Sequence, residues 1–249
     1  MKLRQGSCLA CAAVLVVLTA SNPARAEPND YVLLPAVVQG ERALELKLGS
    51  ADGPGPRDSA GSVSLEYAPT DWWATEFYVQ FHHSGPDRTG YDAVEWENRF
   101  QLTEPGQYAA DWGMVLEIEK PRDPNEGWHV NAGPLIQGSF DSRWQWNFNP
   151  MIAQTWSGAS PATTDLAYQA QLKYRYQPAF EVGVQGFGDL GPWYHWSAMD
   201  AQSHNLGPAV FGRWPMGGRQ VLYYNMGWLF GLTSATPHNT LRAQIEFEF

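Results

Sequence analysis

Apolar and polar residues alternate singly along most of this chain. "ALELKLG" sets Leu44, Leu46 and Leu48 against Glu45 and Lys47, and "SVSLEY" sets Val63, Leu65 and Tyr67 against Ser64 and Glu66. "AYQAQLKYRY" sets Tyr168, Ala170, Leu172, Tyr174 and Tyr176 against Gln169, Gln171, Lys173 and Arg175. A period of two places the two sets on opposite faces of a strand, and no heptad or 3.6-residue repeat is sustained. Boundaries drawn at turn residues predict about twelve strands. They run roughly over 41–51, 60–69, 72–83, 91–103, 107–120, 127–140, 143–157, 164–177, 179–190, 202–214, 219–233 and 239–249.

The connections alternate in length. Those after the even strands are tight: "PTD", "TEPG", "DS", "QP" and "PMGG". Those after the odd strands are longer and richer in Gly, Pro and charge, as in "SADGPGPRDSAG" and "GPWYHWSAMDAQ". An even strand count with this alternation predicts an all-β fold, a closed antiparallel transmembrane β-barrel with short periplasmic turns, longer extracellular loops and both termini at the short-turn side. The aromatics agree with it. Tyr67, Trp72, Trp73, Phe100, Tyr108, Trp144, Tyr176, Phe180, Trp214 and Phe249 fall near the short turns, and Tyr91, Trp128, Trp156, Trp193, Tyr194, Trp196 and Trp228 near the long loops. Two belts at two water interfaces account for them better than a soluble barrel with an aromatic core.

The start of the chain sets the compartment. Lys2 and Arg4 precede the apolar run Leu9–Ala20, and Pro23-Ala24-Arg25-Ala26 has small-x-small spacing, which predicts a signal peptide over 1–26, cleaved after Ala26, and one barrel domain over 27–249. Both cysteines, Cys8 and Cys11, fall in the removed part. The mature chain therefore has no disulfide, zinc-thiolate site or cysteine nucleophile. Losing Lys2, Arg4 and Arg25 from the 16 basic residues leaves 13 against 26 acidic ones, a formal charge of −13 that argues against nucleic acid as a partner. No later stretch approaches eighteen continuous apolar residues, so a helical membrane anchor is excluded.

The chain ends "LRAQIEFEF", with Leu241, Ala243, Ile245, Phe247 and Phe249 alternating with charged or polar residues. That ending resembles the last strand of Gram-negative outer-membrane β-barrel proteins. The resemblance implies residence in outer-membrane lipid and recognition of Phe249, Phe247 and Ile245 by the barrel assembly machinery. The segments Tyr91–Tyr108, Lys173–Gly191 and Gly227–Thr233 are similar to a poorly characterised family of outer-membrane transporters labelled for a phenol-degradation (MetA) pathway. That resemblance implies passage of a small organic solute and supplies no binding residues.

With the apolar set outward, the inward charges are Glu45, Lys47, Glu66, Glu76, Glu95, Glu97, Arg99, Asp111, Glu117, Glu119, Lys173, Arg175, Glu181, Arg242, Glu246 and Glu248. Eleven are acidic and five basic, which predicts a cation-preferring lumen around a small-solute path. The bland alternative is a network of paired charges that only stabilises the barrel. The tight turn "TEPG" places Arg99 opposite Asp111, and Glu95, Glu97, Glu117 and Glu119 in one acidic wall.

Other chemistry is sparse, and nothing predicts a cofactor. His82, His83, His129, His195, His204 and His238 fall near the long loops without a metal-ligand spacing, so a surface ligand- or metal-binding barrel with a closed lumen stands as one alternative. Another is a lipid hydrolase: His82 and Ser84, at i and i+2, resemble the His-x-Ser pair of outer-membrane phospholipases and deacylases, though no third group to orient His82 is evident. Gly133-Pro134 and Gly207-Pro208 predict bulges or bends. Asn98, between Trp96 and Phe100 on the apolar side, predicts either a cost in stability or a register change.

Overall fold

The computed structural model describes residues 28–53, 57–84, 89–156 and 162–249. The predicted signal peptide, 1–26, and its predicted cleavage site lie outside them. The alternating segments form twelve strands: β1 Arg42–Asp52, β2 Asp58–Tyr67, β3 Trp73–Ser84, β4 Gly90–Gln101, β5 Ala110–Pro121, β6 Trp128–Ser139, β7 Trp144–Trp156, β8 Thr163–Gln177, β9 Phe180–Pro192, β10 Ser203–Gly217, β11 Gln220–Gly231 and β12 Asn239–Glu248. Each end falls within three residues of its predicted place. Every strand is antiparallel to its chain neighbour, and β1 pairs with β12 from Ala43↔Glu248 to Asp52↔Asn239, so the sheet closes on itself. Closure satisfies the backbone donors and acceptors that an edge would leave bare.

Side chains sort by parity. On β12, Leu241 and Ile245 are exposed on the outer face while Arg242 is buried inside. On β7, Phe148 and Ile152 are outward, and Gln145, Asn147 and Asn149 are buried inward. The outer wall is thus a continuous apolar surface, with exposed aromatics such as Tyr67, Trp72, Trp144 and Phe249 at one end and Trp128, Trp156, Trp193 and Trp228 at the other.

Asn98 belongs to the outer face, as predicted, and keeps its register there, with its Oδ1 satisfied and its buried Nδ2 left without a partner among the described residues. The indole N–H of Trp73 donates to its Oδ1 at 3.0 Å, and the residue is only 4% exposed beneath that ring. The neighbouring Thr75 receives the indole N–H of Trp96 at 2.8 Å in the same way. The two side-chain oxygens of this patch thus accept from indoles within the apolar wall, while the Nδ2 of Asn98 has no such partner among the described residues.

The two ends differ less in connection length than the sequence predicts. The end that carries Phe249 has connections 68–72, 102–109, 140–143, 178–179 and 218–219; the other end has 53–57, 85–89, 122–127, 157–162, 193–202 and 232–238. Strand β2 begins inside the predicted loop, at Asp58, and the "TEPG" turn opens into a wider loop. There Leu102 and Thr103 both donate backbone N–H to the Trp112 carbonyl, and Gly106 donates to the Asp111 carboxylate at 2.6 Å. The two-residue turn 218–219 needs Gly217 and Gly218 at φ of 118° and 62°, values that a side chain resists.

The Gly-Pro steps are not bulges. Pairing of β6 with β7 lapses between Ala132↔Ile152 and Ile136↔Phe148 and resumes in the same register, and β10 with β11 does the same around Gly207-Pro208. The glycines are there for close approach: a Cβ on Gly133 would lie 2.2 Å from the Pro150 carbonyl oxygen, and one on Gly207 2.0 Å from that of Trp228. The register shifts that do occur lie at Gln80/Phe81, Leu166/Ala167, Tyr174/Gln177 and Pro215/Gly217.

Inside the barrel lies the chain's own segment before β1. From Pro28, level with Gly49, it descends past Arg242, Asn149 and Gly113 to Gly40, whose N–H donates to the Ala68 carbonyl at 2.8 Å at the Phe249 end. Leu33 N–H donates to Gln169 Oε1 at 3.1 Å, its carbonyl accepts from Asn149 Nδ2 at 2.9 Å, and Val37 N–H donates to Gln101 Oε1 at 2.8 Å. Val32 packs with Phe187 and Leu229, and Leu33 against Val115, Leu135 and Met151. The described chain therefore does not begin at the short-turn side as predicted. Its first described residues stand within the lumen, where Tyr31, Val32, Pro35 and Val37 of "YVLLPAVV" are buried.

Two outcomes follow. Closure predicts that the purified chain migrates faster on an SDS gel before boiling than after; identical migration would contradict a closed barrel. A Cβ at Gly49 would sit 2.1 Å from the Pro28 carbonyl oxygen. Gly49→Val should cost about 1–3 kcal/mol in overpacking or expel the segment, read as faster proteolysis within 28–38 with the gel shift retained. Unchanged proteolysis would show that the segment does not rest on Gly49.

Candidate functional site

Register brings the inward glutamates into rows. Glu66 faces Glu76, Glu76 faces Glu97, and Glu97 faces Glu117 across β2 to β5; one step along, Tyr78, Glu95, Glu119 and His129 form the next row across β3 to β6. All alternate with outward apolar residues, so a period of two on four successive strands is enough to build the wall. Like charges placed directly opposite repel, and such a wall requires counter-charges, protons or hydrogen-bond donors.

Several are present. Arg99, on β4, reaches both Glu66 and Glu97, the latter at 3.1 Å. Lys47 pairs with Glu45 at 2.9 Å and donates to the Tyr78 hydroxyl at 3.1 Å, which donates in turn to Glu97 Oε2 at 3.3 Å. Ser64 donates to Glu76 at 2.5 Å, Gln80 to Glu95 at 2.6 Å, and His129 Nδ1 lies 2.9 Å from Glu119. Asn131 hydrogen-bonds Glu117.

Arg99 does not face Asp111. It pairs in register with Val115, whereas Asp111 pairs with Gln137 and bonds Gly106 within the loop. The wider 102–109 connection shifts β5 by four residues relative to the turn imagined from "TEPG". The four glutamates of the predicted wall nonetheless converge, because the shift is even and preserves their face.

The remaining predicted charges lie elsewhere. Lys173 and Arg175, on β8, stand across the lumen from β2, with Lys173 paired to Glu181 at 3.1 Å and Arg175 donating to Gln145. Glu246 and Glu248, on β12, approach Glu41 at the Phe249 end. Burial, followed by the hydrogen bond and charge of Glu248, pushes the Glu41 carboxyl up to about 8. Phe249 closes the seam through its N–H, which donates to the Arg42 carbonyl at 2.9 Å; Phe247 and Ile245 pair with Leu44 and Leu46 of β1.

Beneath the lumen segment is a cavity of about 630 Å³. Glu45, Glu66, Glu76, Glu97 and Glu246 line one side together with Lys47 and Arg99, and Lys173, Arg175 and Arg213 the other together with Glu181, with Tyr31 and Phe211 among its aromatic residues. Both signs of charge are present on both sides of this cavity, with carboxylates in excess on one and cations on the other. Sequence reasoning assigned no role to residues 28–40. The signal was an apolar run with a proline, "YVLLPAVV", outside every alternating segment.

The histidines do not assemble a metal centre among the described residues: the ligating side chains that gather in threes are carboxylates, Glu41 with Glu246 and Glu248, and Glu95 with Glu97 and Glu117. His204 is held by Tyr168 and Gln202. His82 does have an acidic neighbour, Asp58 on β2, that the sequence did not reveal. The side chain of Ser84 lies outside the described residues. His82 continues the inward alternation of Tyr78 and Gln80, so a lipid substrate would have to enter the barrel mouth to reach it.

No family profile matches this chain, and no curated protein matches it in sequence. Among solved structures, it is similar to the COG4313 outer membrane channel from Pseudomonas putida F1, at 13% identity and a TM-score of 0.59 over 88% of this chain and 99% of that one. It is also similar to the translocator domain of the autotransporter NalP from Neisseria meningitidis, at 11% identity and a TM-score of 0.52 over 87% and 90%. At these identities the likeness is one of fold, and the narrower phenol-degradation family label is not shown. The chain has the fold of an outer-membrane β-barrel.

Proposed function

We propose that this chain is an outer-membrane channel for a small solute, cation-preferring at its β3 to β5 wall, with its own N-terminal segment lying in the path. The observation that carries this reading is the convergence of Glu95, Glu97, Glu117 and Glu119 on the lumen side of adjacent strands. Their summed field raises the local concentration of cations. An apolar exterior with aromatic ends supports residence in outer-membrane lipid after export by the signal peptide, and the β12 ending supports delivery by the barrel assembly machinery. No catalytic group enters the reading.

A second reading, a closed barrel that binds a ligand at its surface, draws on the same lumen segment. Conductance separates the two. Removing residues 28–38 should raise single-channel conductance severalfold in planar bilayers while the gel shift persists, because the segment occupies lumen cross-section. An unchanged, near-zero conductance in both forms would favour the closed barrel.

Selectivity is tested apart from conductance. The reversal potential in a salt gradient should indicate cations, shrink when Glu95, Glu97, Glu117 and Glu119 are changed together to Gln, and shrink for the wild type as the Debye length falls from about 10 Å at 0.1 M to about 3 Å at 1 M. A conducting protein that favours anions, or ignores the four substitutions, would show that these carboxylates do not set selectivity.

A further inference from the structure

Within the glutamate wall, one group is built more like a coordination site than like a screened surface. Single carboxylate oxygens of Glu95, Glu97 and Glu117 all lie within 4.8 Å of one another. An ion that binds oxygen at about 2.3–2.6 Å can touch oxygens up to about 5 Å apart, which is the spacing here. Glu97 and Glu117 are directly opposite in register, and Glu95 adjoins Glu97 on the same face of β4, so two rigid strands fix all three positions.

The counter-charges are unequally distributed. Arg99 serves Glu97, and His129 serves Glu119. Glu95 and Glu117, among the described residues, have neutral amide donors, Gln80 and Asn131, where an ion pair would otherwise stand. The charges of Asp30, on the lumen segment, and of Glu119 add to the negative field at Glu117, and Lys47 offsets part of it from a distance.

A second observation is independent of the carboxylates. Gln80 is only 8% exposed and touches the cluster through its Nε2, which donates to Glu95 Oε2 at 2.6 Å. The Oε1 of the same amide is buried and has no hydrogen-bond partner. A buried carbonyl oxygen without a donor is costly, and a cation would satisfy it.

We propose that Glu95, Glu97 and Glu117, together with the side-chain carbonyl of Gln80, form a stoichiometric site for a divalent cation of the calcium class in the lumen wall. The donors are all hard oxygens, and with His129 committed to Glu119 no nitrogen ligand completes a zinc or copper set. The strand-borne arrangement is irregular, which suits calcium better than magnesium, since magnesium demands near-octahedral geometry and holds its waters. The site does not depend on conduction. A channel needs only the field of the wall, whereas a coordination site binds saturably at rest.

The test uses the refolded full chain in detergent, with no ion gradient. Terbium, a luminescent stand-in for calcium, is titrated and its emission excited through the protein's aromatic residues; Tyr78, bonded to Glu97, is a nearby sensitiser. The expected result is one saturable class of emission, displaced by calcium and weakened at least about tenfold by Glu95→Gln with Glu117→Gln and by Gln80→Leu. Glu41→Gln with Glu248→Gln, which alters the other carboxylate group, should leave it unchanged. Absence of saturable emission in the wild type, or equal binding in the substituted chains, would overturn the site. If the double variant does not close into a barrel, Gln80→Leu decides alone. A chain that binds terbium but never conducts would overturn the channel reading and leave the site standing.

Discussion

Everything in this molecule depends on the hydrogen-bonded seam between β1 and β12. A sheet with apolar residues along one face and polar residues along the other can sit between lipid and water only if it has no edge, since an unpaired backbone group in hydrocarbon costs several kcal/mol. The seam supplies that condition, from Ala43↔Glu248 to Asp52↔Asn239. Once it holds, parity divides the side chains, and the two faces are free to meet opposite demands. The outer face keeps Leu, Val, Phe and Trp bare, and among its polar members Thr75, Asn98 and Asn239 accept from indole N–H groups. The inner face carries the charge.

The inner face is where the chain spends its stability. Rows of glutamates opposite glutamates would drive strands apart in a dry interior. Arg99 bridging Glu66 and Glu97, and Lys47 between Glu45 and Tyr78, hold β1 to β4 together across those rows. Across the lumen the wall is made differently, from amides: Gln145, Asn147, Gln171 and Gln185 bond in a chain that ends on Arg242. Amides both donate and accept, so such a chain satisfies itself without charge. One half of the barrel therefore carries the glutamate rows with their counter-charges, and the other combines this amide chain with Lys173, Arg175, Glu181 and Arg213.

The strands were legible because a period of two is a local property, readable from five or six residues at a time. "ALELKLG" and "LRAQIEFEF" state both their element and their faces. The Arg99 partner was not legible, because pairing depends on how many residues a connection absorbs, and the Asp111 carboxylate rebuilt the "TEPG" turn by accepting from Gly106. The four-residue displacement kept the glutamate wall intact only because it was even. The lumen segment was hidden for a different reason: its partners, Gln169, Asn149 and Arg242, are distant in sequence, and no periodicity marks a peptide that lies extended against several strands. A similar blindness applied to Asp58 beside His82, which only the β2 to β3 register brings together.

The segment's contacts also imply an order in time. Leu33 bonds a residue 136 positions further along the chain, and Arg242 reaches the Asp30 carbonyl from 212 positions away. Contacts so remote cannot form until most of the strands have been made and aligned, since the loop that each one closes is nearly the whole protein. The part of the barrel described first along the chain is thus among the last to find its place, and during assembly "YVLLPAVV" is an apolar stretch with nothing yet to cover it.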